Sequence, residues 1–503
     1  MSGFNPPHTV AAKPFRGNTI DGSARDDPTQ PPARSLSGGD LAALDGLLAD
    51  TGVAQHFTGD ATLQGGGVLI RSPHRLVEAV GTAQLLVGCA ASAIWQQRTG
   101  ETNDVLVDSV DALHSLHSAH FVWQEGASLQ VGAEFVPVNG FFPTRDGRQV
   151  LLCAGPPYMK LLNAYLDFFG CANNRESIMA ATLTYTAGQL EDALAGIGVP
   201  GCRAFARDEW LAHPQGQVLA ATPVIEIEKL CDGEPVPFSA DAPHPLSGTR
   251  VLDFTHVLAG PHSTQCLAEF GADVLHVSSA AHPDTLPQHL GVDMGKYCAY
   301  LDLSREEQLS RMGELARDAD VFASSYRDSV NQRFGLTPAE LAATSSRGIV
   351  ALSINAYGHA GPWRDRVGFD PNGQAASGFA ATEGGGVGSP NVSPVAYLAD
   401  TISGYLGAAG VLAALLRRAT EGGSYHVKVS LTRSSMWVQE LGALSTDAVN
   451  DLPTKDIYPY RSATTSTAFG AVTTLANPIR FSGMPLPHNQ RLVPYGADPA
   501  QWP

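Results

Sequence analysis

Two aspartates in the second half of the chain are placed where carboxylate chemistry could be done. Asp400 closes the run Tyr397-Leu398-Ala399-Asp400, just before a helical pattern with Gly404, Gly407 and Gly410 on closely related faces. A carboxylate at that point can act as a covalent nucleophile, or it can simply cap the helix, since Asp is a preferred N-cap. The helix dipole is expected to keep it ionised. Asp370 stands in Arg366 to Gly378, RVGFDPNGQAASG, where the residues alone read as a turn ahead of Pro371. Between the two lies Gly384-Gly385-Gly386-Val387-Gly388, which can offer backbone N–H groups to an oxyanion or serve as a plain flexible linker. His114, His117 and His120 recur at a spacing that drifts around a helix and has no close carboxylate, so packing or an interface is the better reading and no metal site is expected.

These residues need a scaffold, and Arg250 to Val277 writes one. Val251, Leu252 and Phe254 read as a strand, Gly260-Pro261 breaks the chain, and Cys266, Leu267 and Phe270 recur at helical spacing. Gly271 closes the helix before Val274, Leu275 and Val277. This is a βαβ unit. The loop after its first strand, Thr255 to Pro261, is where open α/β sheets bind ligands, although it lacks the glycine pattern of dinucleotide folds.

The same stretch closely resembles the opening of the class III CoA-transferases, a family that includes formyl-CoA transferase, carnitine CoA-transferase and alpha-methylacyl-CoA racemase. The likeness continues in order through Gly295-Lys296, Leu301-Asp302-Leu303, Ala319-Asp320-Val321, Arg333-Phe334-Gly335-Leu336, Tyr357-Gly358, Gly361-Pro362, Asp400 and Val427-Lys428-Val429. The resemblance implies an enzyme that moves CoA between an acyl-CoA donor and a carboxylic acid acceptor through an aspartyl-CoA thioester, with Asp400 as nucleophile and Asp370 beside it. It implies coenzyme A contacts at His256, Val257 and Ala259 and cationic phosphate contacts at Lys296 and Arg333. A homodimer is implied in the same way. In the racemase branch a histidine aligns with Phe369, which cannot move a proton, so an acyl-CoA racemase or epimerase is the second reading, with His359 or His262 as substitute bases. Ser278-Ser279-Ala280 depart from the family's usual acidic residue and nearby Arg. A third reading is a non-catalytic CoA-binding or interaction protein. A serine hydrolase is weaker, because no G-x-S-x-G occurs.

The net charge of −17 argues against nucleic acid or an anionic membrane as a main partner. Seven cysteines without a C-x-x-C pair read as reduced thiols, which points to the cytoplasm. No apolar run is expected to reach membrane-spanning length, and no signal-peptide core or peroxisomal tripeptide is read at the ends.

At 503 residues the chain should hold more than one domain. The expected organisation is a disordered leader over 1–38, a mostly helical partial copy of the CoA-transferase unit over 39–134, and a small α+β domain over 135–234. A linker over 235–245, a Rossmann-like α/β domain with an open sheet over 246–440 and a C-terminal tail over 441–503 follow. The partial copy is read from a repeated arrangement: Leu85 to Ile94, Arg98 and Val105 to Val107 parallel Leu406 to Leu415, Arg418 and Val427 to Val429. Counting back from Gly88 as from Gly410 sets Glu78 opposite Asp400, with a structural role expected. Phe135 to Cys153 reads as two strands around the turn Arg145-Asp146-Gly147.

Overall fold

The computed structural model describes residues 42–65, 68–129, 136–155, 158–395, 397–450, 452–453, 458–488 and 491–503. The leader read over 1–38, and Phe135 at the start of the two-strand run, lie outside them.

The fold is α/β. Its main sheet runs, edge to edge, through Tyr297–Tyr300, Asp273–Ser278, Arg250–Phe254, Val321–Ser324, Val350–Asn355, Ser424–Ser430 and Glu226–Cys231. The first six strands are parallel and the last is antiparallel. Val321 to Ser324 and Val350 to Ile354 are buried residue after residue, as strands covered on both faces must be. From Arg250–Phe254 the chain first adds two strands outward on one side. It then crosses back to lay Val321–Ser324 on the other side. The carboxyl ends of Arg250–Phe254 and Val321–Ser324 therefore open a crevice, where sheets of this kind hold ligands.

Leu398–Glu421 is the helix that brings Asp400 to that crevice. It runs into Ser424–Ser430 through Gly422-Gly423, so its end lies at the amino edge of the sheet and its start at the carboxyl edge. Its glycines allow close approach. A Cβ at Gly404 would lie 2.5 Å from the His262 ring, one at Gly407 2.7 Å from the Ser263 hydroxyl, and one at Gly410 2.6 Å from Val427.

The repeat read from sequence has a structural counterpart. Leu76–Thr99 is a second helix of 24 residues, packed on Leu398–Glu421, and Gly88 meets Val105 as Gly410 meets Val427. A three-stranded sheet pairs Ala61–Gln64 in parallel with Val105–Asp108, which pairs antiparallel with Ile479–Phe481. That is the arrangement of Val350–Asn355, Ser424–Ser430 and Glu226–Cys231 at the edge of the main sheet. The first copy therefore retains the last three strands of the sheet and is less purely helical than expected.

Both 24-residue helices are long and apolar enough to cross a membrane, contrary to the sequence expectation, but 94% and 100% of their apolar windows are buried within the fold. A helix enclosed by layers on every side is apolar all round for that reason.

The small domain is an antiparallel sheet of Gly140–Pro143, Gln149–Leu152 and Gly201–Arg203 with the helices Met159–Phe169, Arg175–Thr182 and Ala187–Gly196. Its core is separate, built on Phe142, Val150, Leu152, Tyr165 and Leu190. Three expected boundaries shift. Glu226–Cys231, placed in the small domain over 135–234, is the antiparallel edge of the main sheet. The linker over 235–245 is pinned: Arg98 donates to the carbonyls of Ser239, Pro245 and Ser247 at 2.6, 2.7 and 2.8 Å. The stretch 441–503 is no free tail, because Ile479–Phe481 completes the first copy's sheet, and Ser462–Thr467 and Gly470–Leu475 pair onto Trp123–Gln124. Open strand edges seek such partners wherever the chain supplies them.

Candidate active site

Asp400 is the third residue of its helix rather than a residue before it, and it is 7% exposed. Asp370 begins the helix Asp370–Ala376 and is 2% exposed. The two meet: Asp370 Oδ2 accepts the backbone N–H of Asp400 at 2.9 Å. Asp370 thus caps the helix that carries Asp400, satisfying a first-turn donor that the helix cannot pair for itself. Its other oxygen accepts the Gln374 amide, and Gln374 in turn accepts the Ser393 N–H at 2.7 Å.

Burial raises the Asp370 carboxyl, the N–H donors and Gln374 restrain it, and the result is about 6. Asp400 is pushed well above the ordinary carboxylate range by burial and by the charge of Asp370. The expectation that the helix dipole keeps Asp400 ionised is therefore corrected. The first-turn N–H is spent on Asp370, which leaves Asp400 with desolvation and a like charge.

The walls are aromatic and come from both domains. Tyr158, at the start of Met159–Phe169, stacks on Phe369 with centroids 6.1 Å apart, and a Cβ on Gly155 would sit 3.1 Å from the Phe369 ring. Tyr158 and Cys153 both lie within electrostatic range of Asp400. Tyr397, at φ 64, leads into the Asp400 helix and takes the His120 ring edge-on at 5.4 Å. His120 thus belongs to the wall, with His117 6.0 Å away ring to ring.

The first loop closes the site from the other side. Val257, at φ 70, donates its N–H to Asp284 Oδ2 at 2.9 Å, and Tyr158 donates its hydroxyl to Asp284 Oδ1 at 2.7 Å. Asp284 so ties the small domain to the loop. His256 donates its N–H to the Ser325 hydroxyl at 2.9 Å and stacks on Tyr326 at 4.6 Å, bridging the two strands that flank the crevice. Ala259 opens the helix Ala259–Glu269. The Ser278 hydroxyl is buried at the carboxyl end of its strand with no hydrogen-bond partner among the described residues. His256, Val257 and Ala259 thus occupy the ligand edge of the sheet.

Lys296 does not. It is fully buried and gives its three donors to Asp253 Oδ2 at 3.0 Å, Asp293 Oδ1 at 2.8 Å and the Pro261 carbonyl at 2.8 Å. Burial opposes the charge, but the two carboxylates outweigh it and hold the ammonium above its ordinary pKa. An ammonium with no donor left cannot meet a phosphate, so Lys296 supports the loop from beneath. Asp253, His276 and Asp293 bring ligand atoms within 4.8 Å of one another, and the Lys296 ammonium already joins the two carboxylates. Arg333 ends the helix Asp328–Arg333, is exposed, and lies with its guanidinium 5.3 Å from the Phe334 ring centre.

Other expectations resolve as well. In the glycine loop the N–H groups of Gly385 and Gly386 both turn back to the Ala381 carbonyl and close a helix, so these two are not free to meet an oxyanion. Glu78 occupies the third position of Leu76–Thr99, as Asp400 does in its helix, but it is half-buried and paired with Arg75 at 3.1 Å. His359 is engaged by the Val429 carbonyl at 3.0 Å and Asn355 at 3.4 Å. His262 packs on Gly404 and Tyr405, and burial lowers its pKa to about 4. Sequence reasoning missed Tyr158, Asp284, Tyr397 and Cys153. The one available signal was the break Gly155-Pro156-Pro157 after the strand ending at Leu152, which marks a loop at a strand end.

Residues 246–493 match the model of CoA-transferase family III. An acetyl-coenzyme A transferase of Hypoxylon pulicicidum is 37% identical over 213 residues, 41% of this chain and 36% of that protein. The succinyl-CoA–L-malate CoA-transferase beta subunit of Chloroflexus aurantiacus is 32% identical over 203 residues, 38% of this chain and 50% of that protein. The chain thus spans a third to a half of the length of these relatives. A solved CAIB/BAIF family protein of Brucella suis is 25% identical, with a TM-score of 0.37 over 45% of this chain and 65% of that one. That partial an overlap adds nothing to the architecture described above.

Proposed function

We propose that the protein moves CoA between an acyl-CoA donor and a carboxylic acid acceptor, with Asp400 as the covalent nucleophile. The observation that carries this reading is the buried carboxylate pair at the ligand edge of the sheet, one acid capping the helix that presents the other. The relatives named CoA-transferases support it at the level of CoA transfer.

In this reading the Asp400 carboxylate attacks the thioester carbonyl, the C–S bond breaks and CoA leaves as thiolate, giving a mixed anhydride. The thiolate then attacks the Asp400 carbonyl, expels the first acid as carboxylate and leaves aspartyl-CoA. The acceptor carboxylate repeats the two steps in reverse and restores Asp400. Asp370 positions the helix start. A buried Asp400 anion beside Asp370 is disfavoured, whereas acylated Asp400 is neutral, so both burial and repulsion are relieved as the covalent bond forms. His256, Val257 and Ala259 hold CoA along the crevice, Arg333 serves its phosphates, and a homodimer in the cytoplasm belongs to the same proposal.

The test is capture of the intermediate. Purified protein mixed with acyl-CoA and treated with hydroxylamine or borohydride should carry the modification on the Asp400 peptide by mass analysis. Modification only at Glu78 would exchange the roles of the two copies, and none at either position would remove the covalent mechanism.

A further inference from the structure

The acyl end of the site has a one-sided charge pattern. Asp370 acts on Asp400, and the charge of Asp400 in turn reaches Cys153, Tyr158 and Tyr397, every one an acid or a neutral hydroxyl or thiol. Both acids are buried, and among the described residues neither forms an ion pair with Lys, Arg or His. The partners of Asp370 are a backbone N–H and an amide rather than a cation. Burial lowers the pKa of two nearby imidazoles, His120 and His262.

The walls and the rim are apolar in the same region. Phe369 and Tyr158 stack beside the acids, and Tyr397 faces His120. Directly after Tyr158 comes Met159, 57% exposed, and two residues after Asp284 comes Leu286, 41% exposed. These two apolar side chains flank the Tyr158–Asp284 bond at the boundary between small domain and loop. Lys160 is exposed on the same helix as Met159 and forms no ion pair with either carboxylate among the described residues.

We infer that the acyl group handled here is an uncharged, apolar monocarboxylic chain, and that acyl groups ending in a second carboxylate are rejected. The inference rests on the transfer reading for its chemistry and on the site itself for its selectivity. A second carboxylate would come beside two buried acids and the stacked Phe369 and Tyr158 rings with no ion-pair partner among the described residues, and a buried unpaired charge is strongly unfavourable. An alkyl chain loses nothing there and gains contact with Phe369, Tyr158 and the two rim residues.

Butyryl-CoA and succinyl-CoA separate the possibilities, since they match in chain length and differ in the terminal group. With isotopically labelled acetate as acceptor, butyryl-CoA should be used with kcat/KM at least about a hundredfold higher than succinyl-CoA, the scale expected for an unpaired buried charge. Equal or better use of succinyl-CoA overturns the inference. If neither donor turns over, the transfer reading fails, and selectivity is then decided by calorimetry with the unreactive thioethers S-butyl-CoA and S-(3-carboxypropyl)-CoA. Tighter binding of the butyl compound by about tenfold or more supports the inference, and equal or weaker binding overturns it. Phe369→Arg, checked for folding by circular dichroism, should narrow the preference in the same assay. An unchanged ratio in that folded variant would place the acyl group elsewhere and overturn the assignment.

Discussion

Asp370 and Asp400 share a buried space in which, among the described residues, only Asp370 receives hydrogen-bond donors, and this asymmetry makes the pair testable. Asp400→Ala leaves the backbone N–H that Asp370 accepts in place. The fold should therefore survive while CoA exchange falls about a thousandfold or more, as removal of a nucleophile does; steady-state kinetics with circular dichroism checks both halves. The pH behaviour follows from the direction of the shifts. Asp370 is raised to about 6, so the fold favours its neutral form, and the stability that form confers is present in acid and lost as pH rises through about 6. Asp370→Asn keeps an oxygen for the Asp400 N–H without the charge. Above pH 6 it should be more stable than the parent by at most about 3 kcal/mol, converging with it below about pH 4, as read by denaturant unfolding across that range. The same substitution removes the like charge from Asp400, so the acid limb of the kcat/KM profile should move to lower pH. A further expectation concerns Phe369. A 2-methylacyl-CoA held with the protein in heavy water should keep its α-hydrogen and configuration, because Phe369 offers no base and His359 is engaged by Val429 and Asn355. Deuterium uptake with loss of stereochemistry would make the protein a racemase.

At the scale of elements, the two 24-residue helices set the geometry through their small residues. Gly88 faces Val105 and Ile479 so closely that a Cβ would lie 2.4 and 2.9 Å from their methyl groups. Gly88→Val should cost about 1–3 kcal/mol by overpacking, visible as a lower midpoint in denaturant unfolding. The β-branched neighbours cannot swing aside easily, since their χ1 rotamers are restricted. The helix Leu398–Glu421 was legible as a small-residue pattern leading to a Gly-Gly break, and so was its strand. The cap on its start was not, because Asp370 reaches it from thirty residues away and nothing local signals the encounter.

At the scale of the molecule, Arg98 stitches the first copy to the segment ahead of the main domain. Its three donors hold the carbonyls of Ser239, Pro245 and Ser247. Arg98→Ala should release residues 235–245, and limited proteolysis should then cut there several times faster than in the parent, by about the factor that losing 1–2 kcal/mol of local closure implies. An unaltered cleavage pattern would show that packing alone secures the segment. The candidate site is likewise assembled across domains: its loop and its two buried aspartates come from the main domain, while Tyr158 and Cys153 come from the small one.

Local pattern along the chain carries the βαβ opening, the loop after its first strand, the repeated helix and strand, and the positions of the two aspartates. Apolar periodicity, glycine breaks and a chain-ordered family likeness are all properties of neighbouring residues. Only the tertiary structure decided how distant groups share charge and hydrogen bonds. Lys296 reads as a phosphate contact in sequence, yet folding encloses it between Asp253 and Asp293. The glycine loop reads as a donor of N–H groups, yet it closes a helix. The stretch 441–503 reads as a tail, yet it supplies a strand to a sheet begun near residue 61. In each case the residue type was visible and its partner was not, because desolvation and hydrogen bonding act through space and give the residues along the chain no mark of where their partners will be.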